Sequence, residues 1–124
     1  MEMLTTVLSE LLIPSNLIII IGGTILGIIF GAVPGLSATT GIALMLPVSF
    51  SMSSTTGILF LGSIYVGGIS GGLISAILIG VPGTPASVAT CFDGYPMAKN
   101  GRASRALGIG ILSSFIGTFI SVLI

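Results

Sequence analysis

Three apolar runs, Leu17 to Phe50, Thr56 to Val81 and Ala106 to Ile124, fill most of this sequence, and Pro-Gly pairs interrupt or end two of them. Their lengths constrain the fold. A bilayer core is about 30 Å thick and an α-helix rises about 1.5 Å per residue. Leu17 to Val33 would make a helix of about 25 Å, marginal for a span, and it runs into Pro34 and Gly35. Ala38 to Phe50 adds about 20 Å, too short to cross alone. As one helix the run would be about 50 Å long, and as two full spans it leaves no room for a loop. A broken helix pair or re-entrant hairpin over residues 17–50 fits best. Thr56 to Val81 is the cleanest span, about 39 Å if wholly helical, so it should tilt or bend, most easily around Gly67, Gly68, Gly71 and Gly72. It is expected to stop at Pro82 and Gly83. Ala106 to Ile124 makes a last span of about 29 Å, and its apolar end suggests a piece of a longer protein.

Composition agrees with lipid as the solvent. Lys, Arg, Asp and Glu make up 5% of the 124 residues and apolar residues 53%, whereas soluble domains carry about a quarter charged residues. The net charge is zero, and Lys99, Arg102 and Arg105 fall in one short stretch, so no basic stripe exists for nucleic acid. There is no His and one Cys, Cys91, which excludes an intrachain disulfide and His or Cys metal sites. No acidic pair at membrane depth and no base beside a Ser or Cys suggests an enzyme. The arm 1–16 carries Glu2 and Glu10 where a secretory signal would carry Lys or Arg. Its Leu4, Val7, Leu8, Leu11 and Leu12 share one helical face, which predicts a short interfacial helix ending near Pro14. The expectation is an all-α membrane protein of about three hydrophobic spans, with half-helices at the interruptions. Residues 82–105 are left as the one extended polar region, a motif followed by a loop that the positive-inside rule places in the cytoplasm.

Small residues recur at helix-packing intervals. Gly23, Gly27 and Gly31 make two successive GxxxG steps, and Gly67 with Gly71 and Gly68 with Gly72 make two more. Such spacing lets backbones approach closely in lipid. By itself it is compatible with a membrane module that only assembles a larger complex through its glycine faces.

The interruptions are a local repeat. Val33-Pro34-Gly35-Leu36-Ser37-Ala38 and Val81-Pro82-Gly83-Thr84-Pro85-Ala86 share the pattern VPGxxA, 48 residues apart. Hydroxyls follow each: Ser37, Thr39 and Thr40 after the first, Thr84, Ser87 and Thr90 after the second. Proline lacks an amide hydrogen and glycine relaxes the backbone, so each motif should end one helix and open another. The orphaned backbone groups survive at membrane depth only where protein buries them or a wet cavity meets them, as in the discontinuous helices of secondary transporters. A helix N-terminus with nearby hydroxyls suits a carboxylate, and freed carbonyls with the same hydroxyls suit a sodium ion. The candidate substrate- or ion-binding residues are Pro34, Gly35, Ser37, Thr39 and Thr40, then Pro82, Gly83, Thr84, Ser87 and Thr90. Asp93 joins them as a residue that could hold a cation or proton, pair with Lys99, Arg102 or Arg105, or serve as a turn in Asp93-Gly94.

The stretches GTILGIIFGAVPGLSATTGIALMLP and SIYVGGISGGLISAILIGVPGTPASVATCFDGYPMAKNGRASRALG carry a family resemblance, over about residues 23–110. The sequence resembles the N-terminal part of the large membrane subunit of the tripartite tricarboxylate transporter family. That resemblance implies a multi-pass permease of the bacterial inner membrane, working with a small membrane subunit and a periplasmic solute-binding protein. It implies citrate or related carboxylates as cargo and no cofactor beyond a coupling sodium ion or proton. It also implies further permease helices to complete the site.

Overall fold

The computed structural model describes residues 1–124. Its elements are α1 (Glu2–Leu11), α2 (Pro14–Ala32), α3 (Ala38–Ser49), α4 (Ser54–Leu78), a 3-10 turn (Pro85–Ser87), α5 (Val88–Met97), a π turn (Ala98–Arg102) and α6 (Ala103–Leu123). The chain is an all-α membrane protein. Three helical stretches are long and apolar enough to cross a bilayer: Pro14–Ala32, Ser54–Leu78 and Pro85–Leu123. The last is not one rod, because Gly101 (φ +79°) breaks it into α5 and α6.

Helices α2, α3, α5 and α6 all pack on α4. Ser53 opens it by accepting the Thr56 amide at 3.3 Å, which satisfies one of the orphan donors of a helix start. Gly80 (φ +75°) closes it as a left-handed residue past the C-cap Ile79, the usual role of glycine there. The helix therefore ends at Leu78, short of the expected stop at Pro82, because Gly80 turns the chain first. It runs unbroken through its four central glycines.

α2 lies parallel to α4, glycine on glycine. Gly23 sits against Phe60 and Ser63, Gly27 against Ile64 and Gly68, and Gly31 against Gly68. A methyl group at Gly27 would stand 2.8 Å from the Gly68 amide nitrogen, and one at Gly71 would stand 2.9 Å from that of Ala32. These are backbone contacts that only glycine permits. Since lipid tails are as apolar as leucine, dispersion from this approach supplies the association in place of water exclusion. The glycine face of α2 is thus spent largely on α4 inside the chain, while Gly68 and Gly72 of α4 also receive Ala38 and Thr84.

α3 returns antiparallel to α4: Ala38 meets Gly68, Gly41 meets Ile64, and Ser49 meets Gly57. α2 and α3 are therefore a hairpin that starts and ends beside the N-terminal end of α4, with the first VPG triplet at its tip. After α4 the chain dips back until Thr84 touches Gly72, then leaves again as α5, where Tyr95 reaches Gly80 and Gly94 packs on Ile77. The second VPG triplet is the tip of this shorter excursion. Gly72 lies about 27 Å from the start of α4 and about 9 Å from its end. The two tips meet there, having entered from opposite ends. α6 descends antiparallel to α4, with Gly110 against Leu73.

Residues 82–105 are mostly helical, where the sequence suggested a polar loop. The helix forms because Gly94 can press its bare backbone on the buried Ile77. At the opposite end Asn16, itself buried, donates to the Glu10 carbonyl at 2.7 Å and accepts from Thr56 at 3.4 Å. It ties the exposed α1 to α2 and α4.

The glycine contacts make a paired prediction. Gly27→Ala should lower the apparent unfolding temperature in detergent by the equivalent of about 1–3 kcal/mol, the usual cost of overpacking. Gly22→Ala, whose methyl group would meet nothing within 4 Å, should be neutral. Equal losses in both would contradict the packing described.

Candidate functional site

The first tip is a β-turn. The Leu36 amide donates to the Val33 carbonyl at 3.0 Å, Pro34 holds the second position, and Gly35 takes φ +92° at the third. That is the type II pattern, which needs a residue with positive φ at this place. Ser37 then caps α3, its Oγ accepting the Thr40 amide at 3.3 Å and lying 3.2 Å from Thr40 Oγ1. The amides of Ala38 and Thr39, first in α3, have no helical carbonyl to bond and donate to no other backbone group.

The second tip is wedged into the core. A side chain at Gly83 would run into the Gly31 carbonyl and stand 2.8 Å from both Gly72 Cα and Ser75 Oγ. Thr84 and Ser87, both buried, close on each other. The Thr84 amide donates to Ser87 Oγ at 3.2 Å, Thr84 Oγ1 donates to Ser87 Oγ at 3.3 Å, and Ser87 Oγ donates to the Thr84 carbonyl at 2.8 Å. The Ser87 amide adds a bond to the same carbonyl at 3.0 Å. Four of the six hydroxyls that the sequence marked, Ser37, Thr40, Thr84 and Ser87, therefore bond within their own tip.

Between the tips lies a pocket of about 230 Å³ lined by Ser37, Ala38, Thr39, Tyr65, Ile69, Thr84, Pro85 and Ala86. It joins Ser37 and Thr39 of the first motif to Thr84 of the second. No charged side chain lines it. Its donors are hydroxyls and the leading amides of α3, backed by the positive end of that helix. The volume falls below the roughly 300 Å³ at which small-molecule sites usually begin, which fits one wall of a larger cavity.

The remaining marked residues sit elsewhere. Pro34, Gly35 and Pro82 are exposed and shape the tips, Gly83 is the wedge, and Thr40 and Ser87 are capping partners. Thr90 and Asp93 line a separate groove of about 310 Å³ with Ile77, Met97, Ala106 and Ile109. Asp93 is exposed and lies within α5. The turn reading of Asp93-Gly94 is thereby corrected, because the pair continues a helix whose Gly94 is buried. Lys99 turns to a neighbouring ring, its Nζ lying 5.2 Å from the Tyr95 centroid.

Tyr65 is the pocket residue that sequence reasoning missed. It stands on α4 three and seven residues before Gly68 and Gly72, so helical spacing puts it on the strip that receives both tips. That spacing was the available signal.

Fold and pocket define a multi-pass membrane protein with two interrupted-helix tips. Comparison with known proteins identifies which kind. Residues 17–124 match the tripartite tricarboxylate transporter TctA family, and the chain belongs to that family. It is also 40% identical, over 113 residues, to a protein of Agrobacterium vitis described as an uncharacterized 52.8 kDa protein in the TAR-I ttuC' 3' region. The match covers 91% of this chain and 22% of that protein, so the chain spans about a fifth of the length of its curated relative. No solved structure matches.

Thr39 and Ala86 face one pocket from different tips. In a Cys91→Ala background, Thr39→Cys combined with Ala86→Cys should therefore be bridged by a short bifunctional thiol reagent. Thr39→Cys combined with Asp93→Cys, which lies in the other groove, should not. Mass spectrometry of the linked peptides reads the result, and bridging of the second pair alone would refute the tip arrangement.

Proposed function

We propose that this chain is the N-terminal portion of the large permease subunit of a binding-protein-dependent secondary transporter in the bacterial cytoplasmic membrane. Its cargo is a tricarboxylate or related carboxylate, its energy an ion gradient, and its working partners a small membrane subunit and a periplasmic binding protein. The observation that carries this reading is the pocket in which Ser37, Thr39 and Thr84 meet beside the unbonded amides of α3. Family membership supports the substrate class.

The chemistry runs as follows. Half-helix N-termini aimed at a substrate carboxylate recur in transporters with discontinuous helices. Here the Ala38 and Thr39 amides and the Ser37 and Thr39 hydroxyls serve as donors, with Thr84 walling the pocket from the second tip and the Tyr65 phenol at the rim. A helix N-terminus supplies about half a positive charge, worth about 0.3–2 kcal/mol to an anion. That is too little to hold several carboxylates out of water. With no cationic side chain in the pocket, the remaining compensation comes from a co-bound cation and from the rest of the permease. This favours a coupled sodium ion or proton. By the positive-inside rule the Lys99 to Arg105 end is cytoplasmic, so the α2–α3 hairpin opens toward the periplasm, where the binding protein delivers its load.

The alternative of a non-transporting assembly module loses its main surface, since the glycine faces it would use are buried inside the chain, against α2, α3, α4 and the second tip.

One substitution separates capping from substrate binding. Aspartate caps helices as well as serine does, so Ser37→Asp preserves α3 while placing a negative charge in the pocket. In proteoliposomes holding the complete permease with its small subunit and loaded binding protein, Ser37→Asp should cut carboxylate uptake by about tenfold or more, the factor set by about 1.4 kcal/mol of repulsion. Ser37→Asn should keep most of it. Thr84→Ala should impair uptake with membrane insertion intact. Wild-type uptake by Ser37→Asp would remove the tips from the substrate site, and a carboxylate panel run with and without a sodium gradient identifies cargo and coupling together.

A further inference from the structure

α6 parts from α4 as it descends. Only Ala106, near its start, is buried, while α4 buries eleven residues. Below the contact of Gly110 with Leu73 the two helices and α2 enclose a groove of about 410 Å³, whose lining includes Ile28, Ser70, Ile74, Ser114, Phe115 and Thr118. Ser114 and Thr118 are one turn apart on α6, and Ser70 lines the same groove from α4. The far face of α6 carries Ile116 and Ile120, ordinary side chains for lipid, with a single hydroxyl, Ser113, beside them.

Three hydroxyls of α2 and α4 outside this groove are satisfied locally. Thr24, Ser63 and Ser75 fold back onto carbonyls of their own helices at 2.7, 2.6 and 3.1 Å. Ser70, Ser114 and Thr118 make no such bond and no other, as is also true of Ser104, Ser113 and Ser121 on α6; what sets the three apart is that they converge on one groove. Three unpaired hydroxyls converging in one apolar cleft are a poor surface for hydrocarbon, which offers them nothing. They suit a neighbouring helix, because serine and threonine are enriched where transmembrane helices meet and bond across the gap. The matched relative extends far beyond the aligned part, which covers 22% of it.

We propose that the α2–α4–α6 groove seats a further transmembrane helix of the same permease polypeptide, one bearing hydroxyl or amide side chains that hydrogen-bond Ser114 and Thr118. The inference rests on the reading of this chain as part of a longer permease. It is independent of the pocket between the tips. The seated helix covers Phe115, which is 68% exposed here, and fixes the tilt of α6 against α4.

The test places spin labels at Ser114→Cys and Thr118→Cys, singly, in the complete permease carrying Cys91→Ala, with Ile120→Cys as the reference. Collision rates are measured with oxygen, which concentrates in lipid, and with a water-soluble nickel chelate. Helix burial predicts oxygen collision several-fold lower at positions 114 and 118 than at 120, with the chelate excluded. Oxygen access equal to the reference makes the groove lipid-facing and overturns the proposal, as does access of the chelate, which makes it aqueous. Protection that appears only when the small membrane subunit is present overturns the assignment to the same polypeptide. Because a label could itself wedge the helices apart, Ser114→Leu combined with Thr118→Leu is assayed in parallel. Seating predicts a several-fold loss of monodisperse protein, whereas a lipid-facing groove predicts none. Failure here leaves the Ser37 and Thr84 uptake results untouched, so the two readings fall separately.

Discussion

The structure depends on the approach of backbone to backbone along the glycine strip of α4. Gly67 and Gly71 take α2, Gly68 takes α2 and the start of α3, and Gly72 takes the second tip. In water such a seam would be a minor supplement to hydrophobic burial. In a bilayer, separated apolar helices are already solvated, and close packing is the main attraction left. Removing side chains from one strip lets three segments converge on one helix face. It also sets the register: with Gly27 seated between Ile64 and Gly68, the first tip falls level with Gly72, where the second arrives. A pocket formed by two motifs distant in sequence is a consequence of helix register.

The tips also show how broken helices are tolerated at membrane depth. Each interruption orphans backbone groups whose exposure to hydrocarbon would cost several kcal/mol apiece. At the second tip the Thr84–Ser87 exchange consumes an amide, a carbonyl and both hydroxyls, so this tip is closed in on itself. The first is not. Its turn bonds Leu36 to Val33, and Ser37 satisfies Thr40, but the first two amides of α3, those of Ala38 and Thr39, are left over. The asymmetry suits a site in which the second tip is a buried buttress and the first presents the donors.

Run lengths and interruptions made the membrane class and the broken helices legible, because a bilayer leaves few options for apolar segments of those sizes. The meeting of the motifs was not legible. It requires α2 and α4 to lie parallel, and GxxxG spacing alone does not set direction. Asp93-Gly94 looked like a turn for a sound local reason, since both residues favour turns. Tertiary packing decided otherwise, because Gly94 is the residue small enough to sit on Ile77. Tyr65 escaped notice because one aromatic in an apolar span carries no pattern until the neighbouring glycines are known to be the docking strip. Asn16 was hidden likewise, as its partners Glu10 and Thr56 come from separate elements.

Under the proposed transporter reading, the separation of Asp93 from the tip pocket constrains how coupling would work. A carboxylate beside the cargo would repel it, so a transporter of polyanions gains by keeping its acidic group away from the donors. The tip pocket has hydroxyls and amides only, and Asp93 lines another groove with Thr90. Both grooves are nonetheless built on the same few residues of chain: Thr84 and Ser87 close the tip, and α5, which begins at Val88, carries Thr90 and Asp93. A movement that displaced the second tip from Gly72 would carry α5 with it and change the surroundings of Asp93 against Ile77 and Ala106. Direct contact between cation and cargo is therefore not required for the two to be linked. Under the same transporter reading, this short connection between a neutral pocket and a distant carboxylate would provide the link without bringing like charges together.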